Sequence, residues 1–393
     1  MKFKTFTFIF FFAIAGLVAG MIGCERVAQV FEPATQPEGF SGEIPIGVVL
    51  PQTGDLGPGE FGPGALVMEN SFNMALEEIN TSQLLGDVSL KFITEDDMST
   101  VEGAIEAFNK LIHQDKVSVI LGVWTSQVAK SVFPIAQENG VVAFSPVVVA
   151  AGLAEIGEFI FRASHSTDVL IPSGVKVTQE KLGYQRVATI ADTVDFASRV
   201  SDEGYRKALA DSGVEVVTTE TFETGDTDFS DQLTRINALN PDAIFVSAQQ
   251  IEVIKILTQG RELGISADVP FISIVLSVDE IRSAGAAAEG AITFTDWVST
   301  ADTPGNQAFV QNYTARYGME PSVWAAQPYA AVYILAEAIT NAQSTDSKAI
   351  AAALADIKDF DTILGKFSFD ANGDAIYDPV VLIVKNGKLE VFE

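Results

Sequence analysis

The sequence predicts an α/β protein made of two doubly wound lobes. Short runs that are apolar on both faces alternate with segments of helical periodicity, the pattern of parallel strands covered by helices on both sides. The rhythm runs once from Ile44 to Phe161 and restarts at Asp168. About 350 residues follow the N-terminal segment, too many for one ordinary core and suited to two lobes.

In the first unit the predicted strands are 44–50, 88–94, 117–121 and 141–144, and the predicted helices 65–79, 101–113 and 126–138. Each strand is a short aliphatic run, and each helix carries apolar residues three and four apart. The second unit offers helices at 168–181, 198–211, 229–239 and 252–263, the last two stopped by Asn240-Pro241 and Gly264. Its strands are 187–190, 214–221, 243–246, 271–274 and 291–295. A long helix over 322–341, entered through Pro321, precedes a β-rich tail at 366–369, 380–385 and 389–392, with Asn372-Gly373-Asp374 as a tight turn.

Residues 1–23 read as an export signal: Lys2 and Lys4, then an apolar run from Phe6 to Ile22. Cys24 is the sole cysteine, so no internal disulfide exists, and Met21-Ile22-Gly23-Cys24 resembles the bacterial lipobox. The expectation is a lipid on Cys24 and a tether over 24–43. The alternative is a plain membrane anchor, since about 17 apolar residues approach a bilayer span. Asp and Glu outnumber Lys and Arg 52 to 24, and a net charge of −28 excludes nucleic acid and anionic membrane surfaces as partners. Contact with a membrane is expected through the lipid alone.

Ligands of doubly wound sheets sit beyond the carboxyl ends of the strands, so the strand-to-helix loops are the candidate sites. The Gly/Pro loop after the first strand, from Pro51 to Gly62, lacks GxGxxG in the required place, and no GxxxxGK[ST] occurs anywhere, so no nucleotide cofactor is expected. The loop Gly122-Val123-Trp124-Thr125-Ser126 sets hydroxyls and free N–H groups at a helix start, suited to an anion, or to simple N-capping. Catalysis has no support. His113 and His165 lack metal-ligand spacing and read as structural or solvent-facing residues, and GxSxG, HExxH and a free nucleophilic cysteine are absent. Glu95-Asp96-Asp97 reads as a cap or turn, with acid/base work or a cation as the alternative. No metal and no enzyme activity are expected.

With these pieces in order, the chain from Ile44 onward resembles the type 1 periplasmic binding proteins of the leucine/isoleucine/valine-binding class, which serve branched-chain amino acid ABC importers. The resemblance rests on Ile46-Gly47-Val48-Val49-Leu50 with Thr53-Gly54, on Asp96-Asp97, on Ile120-Leu121-Gly122 with Ser126, and on Ser145-Pro146. Further along it rests on Phe229-Ser230, Asn240-Pro241-Asp242, Tyr329-Ala330-Ala331 and the stretch from Gly365 to Asp374. It implies two Rossmann-like lobes joined by a three-crossing hinge, crossing near Ala163, Phe294 and Phe367. Lobe one is then 44–163 plus 296–366, and lobe two 164–295 plus 367–393.

The resemblance also implies ligand-binding roles. Ser126 falls where the family binds a ligand carboxylate, with Trp124 and Thr125 on the same wall. Val147 and Val149 lie in the second ligand loop, where amino-acid binders usually carry a threonine at the position of Val149. Phe196 falls at an aromatic cover and Gln249 where a tyrosine often lies. The acid that amino-acid binders aim at the α-ammonium falls near Val275, where this chain has no carboxylate. A buried ammonium without a partner costs several kcal/mol, so a small carboxylic acid, an aromatic acid or an amide fits better. Asp192 or Asp195 could supply the missing charge and keep an amino acid open. The function implied is capture of a small organic ligand by a monomeric, exported, lipid-anchored receptor that hands it to an ABC permease. The alternative is a sensing subunit of the same fold that signals to a partner, and an exported hydrolase is a third class without a nucleophile.

Overall fold

The computed structural model describes residues 41–56, 64–274 and 276–392. Cys24, the export signal, the tether up to residue 40, the glycines of the first loop from Gly57 on, and Val275 lie outside the described residues.

The first sheet is parallel throughout, in the order β2-β1-β3-β4-β5, with β1 Gly42–Leu50, β2 Val88–Asp96, β3 Val119–Gly122, β4 Val142–Ser145 and β5 Ile160–Arg162. Its strands are apolar on both faces because both are covered. One face packs on α2 (Val101–Lys110) and α3 (Ser126–Asn139), the other on α1 (Gly64–Ser82), α10 (Val323–Ala342) and α11 (Ser347–Ala355). Helix α10 is apolar nearly all round and almost wholly buried, as such a helix must be. Each fully buried side chain of the Leu335 or Ile339 kind contributes about 1.5–3 kcal/mol. Helix α9 (Asn306–Tyr317) adds Phe309 and Tyr313 to the same core.

The second sheet has the order β15-β14-β10-β9-β8-β6-β7. Strands β6 (Arg186–Asp192), β7 (Glu215–Phe222), β8 (Ala243–Ser247), β9 (Phe271–Ser273) and β10 (Ile292–Thr295) run parallel, and β14 (Val380–Lys385) and β15 (Lys388–Val391) close the edge antiparallel. Helices α4 (Thr167–Leu182) and α5 (Phe196–Asp211) cover one face, and α6 (Ser230–Ala238), α7 (Gln250–Glu262) and α8 (Val278–Ala284) the other. The chain reverses direction across each sheet once, between β1 and β3 and between β6 and β8. At such switch points strand-end loops splay apart and leave a crevice.

The expected two-lobe α/β architecture holds, with one correction. The third crossing was expected near Phe367, yet Phe367, Phe369 and Tyr377 are buried in the core of the first lobe. Strands β11 (Phe360–Thr362), β12 (Gly365–Phe369) and β13 (Ala375–Ile376) form a small antiparallel sheet, and Phe369 packs edge-on against Phe144 and Phe161. The turn at Gly373 (φ +96°) passes so close to β5 that a Cβ there would lie 2.3 Å from the Ile160 carbonyl oxygen. The chain therefore leaves the first lobe only after Tyr377 and joins the second sheet at Val380.

Candidate functional site

Loops from both switch points enclose a cavity between the lobes. From the first lobe come Trp124, Thr125 and Ser126, Val147 and Val149, and Trp324 at the start of α10; the second lobe supplies α5 and the loop from Val246 to Gln250. About 50 Å³ of it is open to water centres, room for a few waters at about 10–15 Å³ each. A larger groove of about 500 Å³ runs beside the second crossing, along Arg282, Glu320 and Lys388, and is also lined by Leu276, Ser322 and Val323.

The first-lobe wall is held tightly. Gly122 has φ +114°, and a Cβ on it would sit 2.2 Å from the Val49 carbonyl oxygen. Val123, fully buried, has φ +56°, a costly backbone for a β-branched residue. Its N–H bonds to the Val49 carbonyl at 2.9 Å, and its carbonyl accepts from the Ser145 hydroxyl at 3.2 Å. Thr125 caps α3, its hydroxyl accepting from Val128 N at 3.2 Å. The Ser126 hydroxyl accepts from Val149 N at 3.3 Å and from Ala150 N at 3.2 Å. With both lone pairs engaged, its own hydrogen is left to donate, so it can serve only a ligand that accepts. The N–H groups of Ser126 and Gln127, in the first turn of α3, have no carbonyl one turn back and add donors there.

The opposite wall is neutral and polar. Ser247 is 3% exposed, and its hydroxyl has no partner. Gln249 stands at the N-cap of α7 without a side-chain cap bond, beside Gln250. Ser198 donates to Asp195 at 2.8 Å and Ser201 to the Ala197 carbonyl at 2.8 Å, so their hydrogens are engaged. The aromatic wall is a tilted pair, Trp124 and Trp324, with ring centroids 5.6 Å apart. The indole N–H of Trp324 is buried without a partner.

Of the residues expected at the site, Trp124, Thr125, Ser126, Val147, Val149 and Gln249 come together around this cavity. Phe196 does not line it. As the first residue of α5 it leans across on the α3 side of the first lobe, where Lys130 Nζ lies 4.1 Å from its ring centroid. Val275 lies outside the described residues, although its neighbour Ile274 is on the wall. Trp324 and Ser247 were not anticipated. A Pro-Ser helix start before a tryptophan was the available signal for the first, and the end of the β8 strand run for the second.

The two acids that could have replaced a missing carboxylate are committed elsewhere. Asp192, fully buried, accepts from Val194 N at 2.7 Å, Asp195 N at 3.2 Å and the Thr224 hydroxyl. Asp195 caps α5 through Ser198. No charged side chain stands among the described residues that line the cavity.

The acidic cluster ends β2 and enters a turn. Asp96 accepts from Gln52 N, Thr53 N, Met98 N and the Thr53 hydroxyl. Its burial disfavours charge, but these bonds outweigh that and hold its carboxyl below the usual range. Burial pushes Asp97 up to about 6, a Ser99 N–H bond opposes this, and the Asp96 charge adds to it. Glu95 pairs with Lys110. Among the described residues no group of three or more His, Cys, Asp or Glu side chains could hold a metal.

Two α/β lobes with a cavity between their strand-end loops define a two-lobe binding protein. The chain belongs to the periplasmic binding protein family, whose model matches residues 43–388. That is a family of solute-binding proteins and not of enzymes. The Leu/Ile/Val-binding protein BraC3 of Rhizobium johnstonii is 27% identical over 337 residues, 84% of this chain and 89% of that one. A leucine binding protein from Thermotoga maritima superposes with a TM-score of 0.81 at 28% identity, covering 89% of this chain and 98% of its own. A solute binding protein from R. palustris in complex with benzoate, 23% identical, shares the fold with a TM-score of 0.79 over 89% of this chain and 96% of its own. Among the described residues no helix is long and apolar enough to cross a membrane.

Proposed function

We propose that this chain is the lipid-anchored solute receptor of an ABC importer and that it captures, between closing lobes, a small organic acid or amide without a free α-ammonium. The observation that carries the ligand reading is that no charged side chain stands among the described residues of the cavity wall. A ligand acceptor group meets the Ser126 hydroxyl and the N–H groups at the start of α3, where the helix dipole favours negative charge. An ammonium at the other end faces Ser247, Gln249 and Gln250, with no carboxylate among the described residues that line the cavity. Desolvating that cation costs several kcal/mol that neutral dipoles offset poorly. Fold does not choose the ligand. A relative with 27% identity and a TM-score of 0.79 is the branched-chain amino acid transporter substrate binding protein of Streptococcus pneumoniae in complex with isoleucine, so a departure must come from the wall itself.

The remaining parts of the proposal are the anchor at Cys24, the permease partner, and a monomer whose lobes meet within one chain. Mass spectrometry of whatever co-purifies with the protein tests the ligand class, and recovery of leucine, isoleucine or valine contradicts it. Metabolic labelling with a fatty-acid analogue tests the anchor: Cys24→Ser is expected to abolish the label, and equal label in both forms refutes lipidation there.

A further inference from the structure

The three crossings between the lobes meet at one buried imidazole. His165, fully buried in the first crossing, faces the Asp296 carboxylate of the second crossing through Nδ1. Its Nε2 faces the backbone carbonyl of Tyr377, the last residue before the third crossing, at 2.8 Å. A carbonyl and an ionised carboxylate only accept hydrogen bonds, so with Asp296 ionised both ring nitrogens donate and the ring is an imidazolium. The Asp296 carboxylate is completed by the Gln327 amide of α10, also fully buried. The phenol of Tyr377 donates to the Ala163 carbonyl at 2.8 Å, and its ring lies 4.0 Å from the imidazole.

The same crossing grips the second loop of the cavity. The Ser164 hydroxyl donates to the Val148 carbonyl at 2.6 Å, Thr167 N to the Val149 carbonyl at 2.8 Å, and Arg162 Nη1 to the Ala150 carbonyl at 2.6 Å. Ser126 holds that loop from its other side through Val149 N and Ala150 N. A change at the crossing is thus one hydrogen bond away from the cavity wall.

We propose that His165 is a positioning residue of the hinge: doubly protonated, it clasps the three crossings in the arrangement that the closed cleft requires, and loss of one ring proton releases the clasp. The lobes can rotate only if the crossings change their backbone angles, and the clasp ties all three together. A neutral ring presents a lone pair either to the Asp296 carboxylate or to the Tyr377 carbonyl. Acceptor then faces acceptor, and one tie is lost.

The charged and titratable groups around the ring are Asp296 from the second crossing, the Tyr377 phenol at the edge of the third, and Arg162 from β5, which is paired with Asp374. Burial disfavours the charged ring and Arg162 opposes it, but Asp296 and the Tyr377 carbonyl outweigh both, so the imidazole holds its proton above the ordinary histidine range. The sign follows from that direction. The clasp is complete at a pH below the ordinary histidine value and is lost as pH rises through the raised value.

With only two histidines in the chain, the experiment is direct. Imidazole nitrogen NMR of the full-length chain carrying Cys24→Ser, with His113→Gln used for assignment, is expected to show His165 doubly protonated past the pH at which a free imidazole has lost its proton. Small-angle scattering without added ligand over the same range is expected to show a rise in radius of gyration that tracks the His165 titration. His165→Gln should be expanded at every pH and show no step. Asp296→Asn keeps the size and the hydrogen-bonding ability of the side chain and should move the step to lower pH, which separates the clasp from a loss of fold. A neutral His165 at pH 6, or a step that survives unchanged in both variants, overturns the proposal.

Discussion

The two walls of the cavity differ in how much of their polar chemistry is already committed. On the first lobe, Thr125 caps α3, Ser126 accepts from two N–H groups, and Val123 sits in a strained left-handed backbone held by Val49 and Ser145. On the second lobe the Ser247 hydroxyl and the Gln249 and Gln250 amides make no side-chain hydrogen bond to another described residue. The first wall is preorganised and can offer only donors, so its specificity is set before the ligand arrives. The second has groups that still turn to suit the ligand, and it completes the site on closure.

The sharpest way to break this contrast is Ser126→Ala. It removes the donor to the ligand and strands the N–H groups of Val149 and Ala150, at about 1–3 kcal/mol for a buried group left unpaired. The expected outcome is a loss of at least about tenfold in affinity for the recovered ligand and a melting point lower by several degrees. Calorimetry and thermal unfolding measure both; unchanged affinity with a lowered melting point reduces Ser126 to a structural role.

The lobes can also be compared through a buried acid at a helix start in each. Burial pushes Asp97, ahead of α2, up to about 6, and pushes Glu280, in the capping box of α8, up to about 7 despite its Ser277 bonds. A carboxyl raised in the folded state binds its proton more tightly there. Stability is therefore greatest when the acid is protonated and falls as pH rises from the unfolded value through the folded one, here between about 4 and 7. Asp97→Asn is expected to flatten the lower part of that fall and Glu280→Gln the upper part, each by about 3 kcal/mol at most. Urea unfolding at pH 5 and pH 7.5 reads the difference, and a wild-type chain equally stable at both contradicts it.

Gln249→Ala should have the smallest effect, about 1 kcal/mol or roughly fivefold in affinity, with no change in melting point without ligand. A loss as large as that of Ser126→Ala would place the preorganised wall on the wrong lobe.

The first-lobe wall could be read ahead of the structure because its residues are neighbours in the chain: Trp124, Thr125 and Ser126 follow one strand and open one helix. What escaped was joined by tertiary packing alone. Trp324 stacks on Trp124 from two hundred positions away, and His165 meets Asp296 and Tyr377 across 131 and 212 positions. No local pattern records such pairs. Phe196 sits at the lobe contact because, although its sequence position fits either the cavity or that contact, the cap by Asp195 and the nearby α3 hold it there. The third crossing was placed too early for a similar reason. An apolar alternation at Phe367 and Phe369 suits the core of either lobe until β12 pairs with β13.

The central claim is that the cavity accepts an acid and rejects the α-ammonium, and matched pairs test it most directly. Thermal shift of the protein with leucine against 4-methyl-2-oxopentanoate, and with phenylalanine against phenylpyruvate or phenylpropanoate, keeps the carboxylate and nearly the same size and replaces the ammonium by a carbonyl oxygen or by hydrogen. A bound ligand at about 100 times its dissociation constant adds roughly 2.7 kcal/mol of stability, enough for a clear shift. The account predicts a shift with at least one of the deaminated acids and none with its amino acid partner. A large shift with leucine, isoleucine or valine and none with the acids would contradict it and turn attention to Asp192 and Asp195, whose present partners would have to let go.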